Sequence, residues 1–108
     1  MYYLALNPQI ITSAGAIDIT GSYTFVSIGG GSATDLTIPD PDISNEGALL
    51  VITARTAQAH TVTNTTGFNA SSTSGDVATF GGAIGDTFMC VASNGVWNVI
   101  SLRNVTLG

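Results

Sequence analysis

A chain of 108 residues holds one domain, because halving it would leave neither part enough interior to bury. Hydrophobic residues make up 44%, which excludes a disordered chain, yet charged residues make up only 8%, against the roughly 25–35% of a well-behaved soluble surface. With two Arg, no Lys and a net charge of −5, the chain cannot neutralise nucleic-acid phosphates or hold an anionic membrane surface, so neither is an expected partner.

The N-terminal stretch carries no charge before Asp18. Met1 to Ala16 has the apolar character of an export signal, but it lacks a basic start and Asn7-Pro8 interrupts it. Residues 1–12 read either as an arm that packs on a neighbour, with Tyr2, Tyr3 and Leu4 as its contacts, or as the first core strand of the domain 1–108. Short β-type runs follow. Ile17–Thr20 alternates and stops at Gly21, and Tyr23–Ile28 is rich in aromatic and β-branched residues. Gly29-Gly30-Gly31-Ser32 ends that run as a turn, since it lacks the Gly-Lys-Ser/Thr of a phosphate loop. Leu36–Ile38 is closed by Pro39-Asp40-Pro41-Asp42.

Ala48 to Ala54 has helical length around it, but Val51-Ile52-Thr53 lose rotamer freedom in a helix, and a buried strand is expected. His60–Asn64 and Val77–Phe80 are further strands, separated by a Ser/Thr/Gly loop. Thr87–Ala92 and Val96–Leu102 flank Asn94-Gly95, the pair that accepts both positive φ angles of a type I′ hairpin turn. The expectation is all-β: a single small β-sandwich or barrel of about seven or eight short strands with a C-terminal Asn-Gly hairpin and no internal repeat. Its core is expected to hold Phe25, Leu50, Ile52, Phe80, Phe88, Val91, Trp97 and Val99. Trp97 is set against Phe88 or Cys90 across the hairpin, as core and not as a sugar platform.

Chemistry-bearing residues are few. His60 is the only histidine, flanked at strand spacing by Gln58 and Val62, and reads as a surface or hydrogen-bonded structural residue. Cys90 sits between Met89 and Val91, apolar neighbours that keep it a thiol, so a Cys90–His60–Asp triad has only residue types in its favour. Asp35, Asp40, Asp42 and Glu46 could offer oxygens to Ca²⁺, but Pro41 and the spacing do not match the twelve-residue calcium loop. A solvated acidic loop is the expected reading. The sequons at Asn64, Asn69 and Asn104 follow from composition. No enzyme activity, metal or cofactor is expected.

The folded surface for this mass is about 5,600 Å², which leaves on the order of 600 Å² to each of the nine charges. Without Lys to guard strand edges, such a surface is tolerable when neighbours shield it. The blocks Asp76–Phe88, Asn94-Gly95-Val96-Trp97, Arg103–Leu107 and Thr56–Thr63 resemble small virion proteins of tailed bacteriophages, the capsid decoration (cement) proteins and related fibre-attached β-domains. The likeness covers the second half of the chain, and its turn-and-core patterns transfer no active site. It implies a β-rich subunit, often trimeric, on the outer capsid surface of the virion, bound to the major capsid protein and stabilising the lattice. The alternative it leaves open is a head- or tail-fibre or spike module that binds a receptor or glycan. A chain of this length with its own Met1 favours the free-standing decoration protein.

Overall fold

The computed structural model describes residues 8–108. Ten strands follow one another as β1 (Gln9–Ile11), β2 (Gly15–Ala16), β3 (Tyr23–Ile28), β4 (Asp35–Thr37), β5 (Leu49–Ala54), β6 (Thr61–Thr63), β7 (Val77–Phe80), β8 (Thr87–Ser93), β9 (Val96–Arg103) and β10 (Val105–Leu107), with 3-10 turns at Ile43–Asn45 and Phe68–Ala70. Sheet A has the order β1-β3-β5-β8-β9 and sheet B the order β10-β7-β6-β4-β2. The expected all-β fold is formed, and of its two forms it is the open sandwich. The count is ten because several strands have only two or three residues, too few to show alternation. The expected strand Ile17–Thr20 is one such shift: the ladder is made by Gly15–Ala16, and Ile17 adds one backbone bond to Thr37 before the chain leaves the sheet.

The first six strands alternate between the sheets. Each turn of chain gives one strand to A and one to B, and successive turns stack in parallel. Parallel neighbours need a long crossover, commonly a helix; here a strand of the opposite sheet makes it. Tyr23 pairs with Leu49 and Asp35 with Thr61, a constant offset of 26 residues (49 − 23 and 61 − 35). The turns β3–β4 and β5–β6 are thus structurally equivalent, whereas β1 meets β3 at an offset of 17 (26 − 9) and β2 meets β4 at 21 (36 − 15). The equivalence is one of backbone path, with side-chain class alone recurring at positions such as Val26/Ile52 and Leu36/Val62.

Side chains hold the two turns together at the same offset. Thr34 N–H donates to His60 Nδ1, Thr56 Oγ1 to the Gly30 carbonyl, Thr61 Oγ1 to Asp35, Asn64 Nδ2 to the Ile38 carbonyl, and Thr66 Oγ1 to Asp40. Asn64 is buried and also donates to Asp40 Oδ1 while accepting from Gly67 N–H. That accounts for its sequon without any sugar. Asn64→Ala leaves buried donors and acceptors without partners, and a loss of about 2 kcal/mol is expected in denaturant unfolding. Gly67 is fixed by two requirements: its φ is +98°, and an added Cβ would lie 2.2 Å from the Ser71 backbone.

The remaining strands run antiparallel and close the sandwich. Asn94 (φ 56°) and Gly95 (φ 72°) form the expected hairpin turn between β8 and β9. A two-residue turn sets Ser93 opposite Val96 and so Ala92 opposite Trp97, not Phe88 or Cys90. The small partner leaves room for the indole, whose Nε1–H donates to the Pro39 carbonyl at 2.9 Å. The β8–β9 register shifts between Met89 and Cys90, and the unpaired Ile100 is 53% exposed. At Asn104 (φ 54°) the chain passes from sheet A to sheet B.

Leu50, Ile52, Phe80, Phe88 and Trp97 are buried as expected, and Val99 packs partly against the same core. Phe68 joins them edge-on to Phe88, with ring centroids 4.9 Å apart. Phe25 and Val91 are not core. They share a strand parity with Tyr23 and Met89 and lie on the outer face of sheet A. Nor are the edges bare as expected: β1, β2 and β10 are only two or three residues long, and on β9 the Asn69 side chain accepts from Val99 N–H. The accessible surface is 5588 Å², that of a fully folded globular chain of this mass.

Candidate functional site

The two outer faces of the sandwich differ in kind. On sheet A the register places Tyr23, Leu49, Val91 and Asn98 in one row across β3, β5, β8 and β9, and Phe25, Val51, Met89 and Ser101 in the next. A third row, Ile10, Ser27, Thr53, Thr87 and Arg103, is mainly polar. Six apolar side chains thus form a two-by-three block at the centre of the face. Leu49 is 36% exposed, Ile10 beside the block 54%, and the other members are half-buried. On sheet B the corresponding rows read Asp35, Thr61, Thr79, Thr106 and Thr37, Thr63, Val77. The centre of one face is hydrocarbon, and the other face is mostly threonine, with Asp35 as the one charge in these rows.

Charge follows the same division. None of the seven carboxylates lies on a strand of sheet A, whose only charged residue is Arg103 at the C-terminal end of β9. Six of the acids lie in loops, and Asp35 opens β4 of sheet B. Asp35 accepts from Thr61 on the next turn, and Asp40 from Asn64 and Thr66. Asp42 caps the 3-10 turn through Ser44 N–H and Oγ, which hold its carboxyl below the usual range. Glu46 is lowered likewise by Ser93 Oγ and Asn94 N–H, and so ties the β4–β5 loop to the hairpin tip. All four acids are exposed, as expected of a solvated acidic segment, while each makes its own tie, and no group of three or more His, Cys, Asp or Glu is placed to hold a metal ion among the described residues.

His60 is buried, with both ring nitrogens engaged. Nδ1 accepts from Thr34 N–H at 3.0 Å, so the proton of the neutral ring sits on Nε2 and points to Thr56 Oγ1 at 3.0 Å, which in turn donates to the Gly30 carbonyl. Burial lowers its pKa, against the Thr56 contact, which raises it. No nitrogen is left to take a proton from Cys90, whose thiol burial pushes up to about 12. Asp86 is also buried; burial raises its pKa, but hydrogen bonds from Ala83 N–H and Asn104 Nδ2, with the amides of Gly82 and Gly81, outweigh this and hold it below the usual range. A shallow hollow of about 220 Å³ near Ser22, Ser44, Asn45 and Glu46 has Glu46 as its one ionisable group, already bonded twice.

The candidate contacts Tyr2, Tyr3 and Leu4 lie outside the described residues; of the segment 1–12, Gln9–Ile11 is β1, with Ile11 against the core. The surface that sequence reasoning missed is the apolar block of sheet A. Its signal was present: Tyr23–Ile28, Leu49–Ile52 and Phe88–Val91 are apolar on both parities, which marks a strand covered on two sides. A scan against models of protein families, a search of curated proteins and a search of solved structures found no match to this chain.

Proposed function

We propose that this chain is a structural subunit of a virion, a capsid decoration protein that sits as a homo-oligomer on the outer head surface and stabilises the lattice through the major capsid protein. The observation that carries this reading is the apolar block on sheet A, free of carboxylates in a chain of net charge −5. A surface of that kind is stable in water when something covers it. The threonine-rich face of sheet B, with Asp35 among its rows, supplies the complementary property, a wet exterior. His60, Asp86 and the loop acids are engaged in holding turns, which fits a binding and scaffolding role and not catalysis.

Purified protein mixed with undecorated capsids is expected to bind saturably, in proportion to the number of capsid subunits. Absence of saturable binding overturns the proposal, and a handful of copies confined to vertices or tail replaces it with the fibre or spike module. Deleting residues 1–7, which leaves β1 in place, is expected to weaken attachment without lowering the melting temperature if Tyr2, Tyr3 and Leu4 are contacts.

A further inference from the structure

We propose that the outer face of sheet A pairs with the same face of a second copy of this chain, about a two-fold axis running along β5. This deepens the assembly reading above and rests on it.

Area is the first argument. Five strands about 4.8 Å apart, with central strands of six or seven residues at about 3.3 Å each, give a face of about 500 Å². Two such faces reach about 1,000 Å², the lower bound for a specific contact, before side-chain relief adds to it. Charge is the second. Two molecules of net −5 repel, and sheet A is the side on which no strand carries a carboxylate, so its approach puts the acids at the rim or beyond.

The order of the strands places the axis. β5 is the middle strand of β1-β3-β5-β8-β9. Rotation about β5 lays β3 over β8 of the second copy and keeps each row at its own height. Tyr23 then meets Val91, and Phe25 meets Met89, an aromatic–thioether contact. Leu49 and Val51 meet their own counterparts on the axis, and the Arg103 stem lies along Ile10 with its guanidinium in water. An isologous contact of this kind closes on itself as a pair, in place of the trimer that the phage resemblance implies.

Light scattering at micromolar concentration is expected to give twice the chain mass of 11.0 kDa. Val51→Glu and Val51→Lys put like charges against each other on the axis, and each is expected to halve the mass. An equimolar mixture of the two is expected to restore it, because only an axis through Val51 brings Glu against Lys. Leu49→Glu, at a more exposed axial position, serves in the same way if either Val51 variant does not fold, which Trp97 fluorescence reports. A wild-type monomer, a mass three times that of the chain, or a mixture that stays monomeric overturns the pairing. So does a monomer whose sheet A face binds an apolar dye only after residues 1–7 are removed, which gives the face to the chain's own N-terminal segment. A pair that leaves capsids undecorated overturns the virion role alone, and a capsid-binding monomer overturns the pairing alone.

Discussion

Trp97→Ala is expected to lower the unfolding free energy by about 3–5 kcal/mol, the range for removing a fully buried large aromatic. The domain's whole stability is about 5–15 kcal/mol, so the variant is expected to melt at or near ambient temperature if the wild type lies at the low end. The indole is 1% exposed and does two things. Its rings fill the space opposite Ala92 on the hairpin, and its N–H holds the Pro39 carbonyl, pinning the loop that carries Asp40, Asp42 and Glu46 to sheet A. Trp97→Phe separates the two. It keeps most of the ring, loses the Pro39 bond, and is expected to cost about 1–2 kcal/mol more than the lost volume alone, because that carbonyl is left without its donor. Urea unfolding followed by circular dichroism checks both, since the fluorophore itself is removed. An unchanged midpoint for Trp97→Ala would show that the hairpin and the loop do not depend on each other.

What could be read in the sequence is what local chemistry decides. Asn94-Gly95 names its own turn, and Val77–Phe80 and Tyr23–Ile28 name their own strands, to the residue. What could not be read is set by partners far along the chain. The pairing of β3 with β5 in parallel depends on a strand in the opposite sheet making the crossover, and no residue of β3 or β5 encodes that. Of the two readings of His60, surface or hydrogen-bonded structural residue, the second holds, but its partners could not be named because Thr34 lies on the adjoining turn of the winding, 26 residues away. Hydrophobicity alone points Phe25 and Val91 inward. Parity relative to Val26 and Cys90 sends them outward, and the same parity error hid the apolar block that is the candidate site.

Acidification below about pH 6.5 is expected to destabilise the protein through His60. The unfolded histidine takes up its proton near 6.5, while the folded ring resists: it is buried, and its Nδ1 already faces a backbone N–H, so a second proton there would set donor against donor. Between those two pKa values the unfolded chain binds more protons than the folded one, and stability falls with falling pH by up to about 1.4 kcal/mol per unit. That loss ends where the folded ring itself protonates. A separate loss begins lower, as Asp86, Asp42 and Glu46, whose folded carboxyls are held below the usual range, are forced to protonate. His60→Ala isolates the first limb. It removes a ring that stacks edge-on to Phe80 at 6.5 Å and leaves Thr34 N–H without an acceptor, so about 3 kcal/mol is expected to be lost at neutral pH. The variant's stability should then stay level between pH 6.5 and the carboxylate limb, where the wild type slopes. Urea midpoints across that range decide it: a wild type as level as the variant means that His60 titrates alike in both states, and that the rung between the two turns is open to water.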